Sequence, residues 1–509
     1  MRTASAVLLV VIGSVSGLGC GSNGATGPVV SISPATLTVH TGDGATTFAA
    51  VLSNGAVDPV TWALAGPGSI SATTGDQTSY TPPALGASGG TATLRATADC
   101  GAGCAPVGFT ATITVDTATT GTLTITVTTP NLMSASLTVS GPNSYTQSIN
   151  TPTGTTLTGL AAGTYTVTAQ PITINDPIVT SEYTAPTVQA AVTANAAAAA
   201  AITYAAPPGS GLLWTVGTAD TLEGWSSANL RANTFPDVSP GTSSSVQGIA
   251  FDASGNMFAS LAGPPGSVVS YAPAGLANSD PLTPSVTFND SNINNPSGVA
   301  LGPDGRLWVA NCGNNRIAVY PLAGGPADFV ITSPSLFNCP NGIAFDSSGA
   351  LWVANANGVV ERFQNAEVEA GNSMPVADVT LTPPSNPASS QPYGIALDTE
   401  GNVWVSFFVG STVARYNVVG FPGTTTPAAV LSPTDAGPES LDHPVALAID
   451  NSGLLWVANA GQTQALSQFA AADMDAGGAA APITVVQGIG VTLGGLAFNP
   501  SPANLPINH

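Results

Sequence analysis

Short apolar runs separated by turn residues recur along the whole chain, and most of them alternate with a period of two. Over residues 29–117 the runs are VVSISPATLTVHTG, TTFAAVLSNG, VTWALAG, GSISATTG, TSYTPP, GTATLRATADC and GFTATITVD. A period of two places every second side chain on one face, so each run reads as a half-buried strand. Seven such strands at regular spacing predict a two-sheet sandwich. Residues 118–206 repeat the pattern in a smaller unit, through GTLTITVTTP, SASLTVSGPNS, TTLTGLAAGTYTVTAQP and AAVTANAAAAAAITYA. The alanine run at 195–201 has helical propensity, but its flanks VTAN and ITYA make it part of a strand pair with small side chains. A linker at 207–210, within PPGSG, closes this part of the chain.

From residue 211 to 509 a single phrase takes over. It appears as QGIAFDASGNMFAS (247–260), SGVALGPDGRLWVAN (297–311), NGIAFDSSGALWVAN (341–355), YGIALDTEGNVWVSF (393–407) and VALAIDNSGLLWVAN (445–459). Their second residues are separated by 50, 44, 52 and 52 positions. A period near fifty, with about four strands per unit, is the mark of a β-propeller blade. Gly248, Gly298, Gly342 and Gly394 fall where innermost strands would converge. Asp252, Asp346, Asp398 and Asp450 open a turn with a glycine three residues later, as an Asx turn requires, and the second unit uses Asp304–Gly305 instead. Phe258, Trp308, Trp352, Trp404 and Trp456 then fill the gaps between neighbouring blades. A first strand without a second, GGLAFNP at 494–500, complements a second strand without a first, GLLWTVGTAD at 211–220. The expected fold is therefore all-β: two sandwich modules, then a six-bladed propeller closed by pairing of its N- and C-terminal strands.

Composition agrees. The chain has 57 Gly and 42 Pro among 509 residues, with 43% hydrophobic and only 7% charged positions, which favours strands and turns over helices. Its formal net charge is −21 and all seven basic residues are arginine. A surface this acidic repels nucleic acid and anionic lipid headgroups, so nucleic-acid binding is excluded.

Residues 1–19 have the layout of a secretory signal: Arg2, an apolar run from Ala4 to Leu18, then small residues. The following Cys20, in SGLGC, resembles the lipobox of bacterial lipoproteins. That resemblance implies acylation of Cys20, a flexible tether over 20–28, membrane contact through the lipid alone and, with Gly21 rather than an acid next to the cysteine, display on the outer membrane. Export permits disulfides. The remaining four cysteines suit two pairs, Cys100 with Cys104 in CGAGC, and Cys312 with Cys339 at the rim between two repeats.

Three further resemblances bear on the modules. VTWALAGPGSISATTGDQTSYTPP, followed by ATLRATAD and TATITVD, resembles a bacterial immunoglobulin-like domain, in which Trp62 is the core tryptophan. LTGLAAGTYTVTA resembles the carboxypeptidase-regulatory or PEGA-like sandwich, where this hairpin closes the sheet. The repeated phrase resembles NHL repeats and streptogramin (virginiamycin B) lyase-like propellers, most closely in SGVALGPDGRLWVANCGNNRIAVY.

These resemblances imply two chemistries. Gluconolactonase-type propellers hold a divalent metal on the axis with a carboxylate and asparagines. The corresponding ring here is Gln247, Ser297, Asn341, Tyr393, Val445 and Gly494, in which Asn341 matches and no carboxylate stands. Streptogramin lyases use a general-base histidine. His443, in LDHPVALAID with Glu439 and Asp442 nearby, is the weak candidate, but the expected set of several histidines is missing. No nucleophile elbow supports a Ser/His/Asp triad. Asn311, Asn355 and Asn459 recur thirteen residues after three blade starts, where they either satisfy strand-end backbone or line a rim for a polar ligand. The expectation is a protein- or glycan-binding module without catalytic residues or cofactor, with a Ca²⁺- or Mg²⁺-dependent lyase or lactonase as the alternative.

Overall fold

The computed structural model describes residues 30–52, 60–84, 87–98, 107–117, 120–194, 196–217, 220–333, 335–368, 375–384, 390–417, 423–434, 441–462, 464–487, 489, 494–502 and 505. Cys20, Cys100, Cys104, Glu439 and the leader lie outside this set. The chain divides into two compact units, one spanning Met1–Gln170 with Ala185–Tyr204, the other Pro171–Thr184 with Ala205–His509.

In the first unit, two four-stranded sheets run from Val30 to Asp116. Thr36–His40 pairs in parallel with Val107–Asp116, and the other pairings are antiparallel. Alternation does here what the sequence predicts: Phe48, Trp62, Tyr80, Leu94 and Ile113 share one buried core. Trp62 is buried with its Nε1 donating to the Gly75 carbonyl at 2.8 Å, while His40 is solvent-exposed on its strand. Beyond Thr120 come a four-stranded and a three-stranded sheet. The alanine run is a strand, Ala197–Thr203, pairing in parallel with Thr120–Thr128. The LTGLAAGTYTVTA segment is not a hairpin within one sheet. Gly154–Ala161 belongs to one sheet and Gly163–Ala169 to the other, with Tyr165 buried after the crossing.

The second unit holds five repeat sheets, each an antiparallel meander opened by one copy of the phrase. Their first strands are Val246–Phe251, Pro296–Leu301, Pro340–Phe345, Pro392–Leu397 and Pro444–Ile449, and their second strands Met257–Leu261, Leu307–Asn311, Leu351–Asn355, Val403–Phe407 and Leu455–Asn459. The third and fourth sheets gain an extra outer strand in parallel, Gly423–Thr425 and Gly478–Ala479, from the connection belonging to the next repeat. A composite sheet joins the ends of the unit: Leu212–Val216 pairs with Leu222–Trp225 on one side and with Leu496–Asn499 on the other, in the register Leu213↔Phe498 and Thr215↔Leu496. First strands of consecutive sheets are neighbours, and Leu496–Asn499 lies beside both Pro444–Ile449 and Val246–Phe251.

Second strands are buried at every position. Such continuous apolar strands are stable only when both faces are covered. Each face is covered by the adjacent sheet. Trp308 packs with Ile343 and Phe345 of the next sheet, Trp352 with Ile395 and Leu397, Trp404 with Leu447 and Ile449, Trp456 with Leu213 and Phe498, and Trp214 with Ile249 and Phe251. Phe258 takes the same place opposite Val299 and Val309. Burying one such indole removes roughly 200 Å² from water, on the order of 5 kcal/mol of transfer free energy.

Residues 171–184 fall within the second sandwich by sequence spacing, yet they fold with the second unit. The hairpin Ile172–Ile174/Ser181–Tyr183 carries Ile178 and Val179, both buried in the core that holds Trp456. Asp176 pairs with Arg231 at 2.8 Å, and Asn451 donates to the Asp176 carbonyl and to Thr180 Oγ1, both at 2.8 Å. Two adjacent apolar residues between polar turns gave this short segment a face to bury.

Candidate functional site

Six strand starts converge on one narrow cavity of about 90 Å³, whose lining includes Gln247, Ser297, Asn341, Tyr393, Val445 and Gly494. These are the six ring positions expected from the phrase. Glycine is required next to them by close approach. A Cβ on Gly248 would stand 2.6 Å from the Ser297 carbonyl oxygen, and one on Gly394 would stand 2.9 Å from the Ala446 Cα. The strands can converge this tightly only without a side chain at that point.

The ring's polar groups are partly committed to the scaffold. Asn341 is 5% exposed, and its Nδ2 donates to the Pro392 carbonyl at 3.1 Å, bridging the third and fourth sheets. Ser260 Oγ donates to the Ser297 carbonyl, and the Gly394 N–H donates to Ser406 Oγ at 2.8 Å. Tyr393 is half-buried, and burial raises its phenol above the usual range. Its ring lies 5.4 Å from Phe408, which in turn lies 4.6 Å edge-on from His443. His443 sits just before the fifth first strand in a left-handed conformation (φ 52°). Its Nδ1 lies 2.7 Å from Asp442 Oδ1, and its backbone N–H is held by Ser411 Oγ at 3.1 Å. Sequence reading singled out Tyr393 and His443 separately. Phe408, which links them into an aromatic row, was missed, although the doubled phenylalanine of SFFVG marks the place where one ring must leave the core.

Asn311, Asn355 and Asn459 are at most 1% exposed. Their Oδ1 atoms each accept, at 3.1 Å, from a backbone N–H in the loop before the same sheet: Asn294, Asn338 and Asp442. Their Nδ2 atoms donate to the Val309 carbonyl, Glu361 Oε2 and Ser467 Oγ, each at 3.1 Å. These amides hold the loops from inside and face neighbouring groups rather than a rim. Glu361 is itself a buried acid the sequence reading passed over. Burial pushes it up to about 7, and the Asn355 amide only partly offsets that. Its signal was an acid next to Arg362 in a strand whose other residues are apolar, VVERF.

Cys312 and Cys339 form a disulfide closing a 27-residue separation, and so tie the end of one second strand to the start of the next first strand. A divalent cation on the axis would meet only neutral oxygens from Gln247, Ser297, Asn341 and Tyr393, with no carboxylate at the six ring positions. Hard cations favour several oxygens with charge among them, so this donor set does not fit one. Among the described residues no three His, Cys, Asp or Glu side chains converge.

The NHL repeat family model matches residues 294–320. No curated protein matches the chain. Similar solved structures include a virginiamycin B lyase from Staphylococcus aureus, at 16% identity over 57% of this chain and 89% of that one, TM-score 0.38. A protein of unknown function from Bacteroides caccae aligns at 12% identity over 55% and 94%, TM-score 0.41. A gluconolactonase-like protein aligns at 16% identity over 56% and 81%, TM-score 0.33. Residues 294–320 thus match the NHL repeat model, within a chain that is all-β in its described residues.

Proposed function

We propose that the protein is an exported bacterial lipoprotein whose second unit is a six-bladed propeller that binds a protein or glycan ligand at the mouth of its axial cavity. Six sheets whose first strands neighbour one another in turn, with the two ends of the unit paired through Leu213 and Phe498, support the blade count. The two β modules preceding it, of immunoglobulin-like and carboxypeptidase-regulatory type, would carry it away from an acylated Cys20. One observation carries the binding reading: Tyr393, Phe408 and His443 form a partly exposed aromatic row beside the amide and hydroxyl groups of the ring. Apolar rings next to oriented polar groups are what a recognition surface needs. A glycan and peptide array probed with the full chain and with Tyr393→Ala tests it. Selective binding lost in the variant supports the reading, and equal binding by both refutes it.

The second reading is a lyase or lactonase. His443 with its Asp442 partner at 2.7 Å is the observation in its favour. Turnover of a streptogramin or a sugar lactone that disappears in His443→Ala would establish it.

A further inference from the structure

A second cavity, of about 290 Å³, lies between the outer strands of the composite sheet and of the fifth repeat sheet. Its lining includes Glu223, Trp225, Asn233, Phe235, Pro236 and Ile489. Glu223 and Trp225 are two apart on the strand Leu222–Trp225, so they share a face. The helix Ser227–Ala232 follows, ending at Asn233 in a left-handed conformation. Asn233 Oδ1 accepts from the Gln487 N–H at 3.1 Å and ties the loop to the fifth sheet. The loop then carries Phe235 out to 86% exposure.

The interior of this cavity is unusual in its chemistry. Glu223 is 8% exposed and Trp225 1% exposed, yet neither Glu223 Oε2 nor Trp225 Nε1 has a hydrogen-bond partner. Burial pushes the Glu223 carboxyl up to about 7, and the neighbouring Trp225 N–H eases this without making a bond of normal geometry. Native chains leave few buried polar atoms unpaired, because the lost hydration is not returned.

The two orphan atoms define what would satisfy both. Trp225 Nε1 can only donate, so the ligand must accept. An ammonium or metal cation has no acceptor to offer it. A carboxylate or phosphate would accept from Trp225, but would meet Glu223 on a chain of formal charge −21. A hydroxyl accepts from the indole and donates to the carboxyl. Phe235 and Pro236 at the mouth supply an apolar wall against which C–H groups can pack.

We propose that this cavity binds a single neutral sugar residue, one hydroxyl bridging Trp225 Nε1 and Glu223 Oε2 and the ring's C–H face lying on Phe235. The site is built from other strands than the axial mouth and stands whether or not that mouth binds a ligand.

The test is saturation-transfer NMR and tryptophan fluorescence on the full chain. The probes are methyl glycosides of glucose, galactose, mannose and rhamnose, and N-acetylglucosamine, with methylammonium and acetate as controls. At least one glycoside is expected to bind at millimolar concentration. Trp225→Phe and Phe235→Ala should each weaken it about 5- to 10-fold, the size of one lost hydrogen bond or ring contact. Phe235→Ala removes an exposed side chain, so the test survives if Trp225→Phe does not fold. The proposal fails if no glycoside binds, if binding persists in both variants, or if methylammonium or acetate binds instead.

Discussion

Trp456 Nε1 donates to Asp450 Oδ2 at 3.0 Å, joining the aromatic that packs between two sheets to the acid that shapes its own sheet's turn. The same carboxylate accepts from the Ser452 and Leu454 N–H groups at 2.9 Å and from Gln468 Nε2 at 2.7 Å. Trp352 with Asp346, Trp404 with Asp398, and Trp308 with Asp304 repeat the bond at 3.0–3.2 Å. The acid and the indole, six residues apart in three of the four cases, are one device.

Asp450→Ala should therefore cost more than loss of a turn. It strands a buried indole N–H, two backbone N–H groups and an amide, and is expected to lower stability by about 2–4 kcal/mol. Asp252→Ala, in the one repeat where Phe258 replaces the indole, should cost about 1 kcal/mol. Urea denaturation of both variants checks the difference.

Stability should fall as pH rises across the mildly acidic range. Glu223 and Glu361 have folded-state pKa values raised from 4.5 to about 7. Between those values the unfolded chain has released protons that the folded chain still holds, so each group removes up to about 1.4 kcal/mol per pH unit, levelling off above about 7. The depressed acids, Asp346 among them, act with the opposite sign and only below the ordinary carboxylate range. Urea midpoints of Glu223→Gln/Glu361→Gln should be markedly flatter with pH than those of the parent chain.

Opening the Cys312–Cys339 bridge frees a loop of 27 residues. The chain-entropy estimate for that length is about 3.6 kcal/mol, and Cys312→Ala/Cys339→Ala should show a loss of that size in non-reducing denaturation.

Phe498, 1% exposed, lies opposite Leu213 in the composite sheet. Phe498→Ala should cost about 3–5 kcal/mol, and a chain ending at Gly494 should bind a hydrophobic dye and lose its cooperative melting transition.

The repeats were legible in the sequence because each repeat sheet is specified locally: in four of five a glycine where strands converge, an acid at the turn, and in four of five an indole ten residues after the position where strands converge. Pairing of Leu212–Val216 with Leu496–Asn499 was legible too, since each half lacks what the other supplies. What escaped was whatever depends on two segments meeting without a shared pattern. The Asp–Trp bond joins two features that were read separately. The hairpin at 171–184 carries no strand pattern of its own, and only Ile178 and Val179 in the Trp456 core mark it as part of the second unit. Nothing in the sequence marks Glu223, and only its burial beside Trp225 makes it a site residue. Asn311, Asn355 and Asn459 were read as a set, and their spacing could not say whether an amide turns inward to a loop or outward to a ligand.

The strand at 496–499 gives this architecture an order in time. The composite sheet lacks its inner edge until those residues are synthesised, so Leu213 and Trp214 wait with one flank uncovered while nearly three hundred residues are added. A nascent chain would thus remain short of its final barrier to unfolding until residues 496–499 have joined the composite sheet.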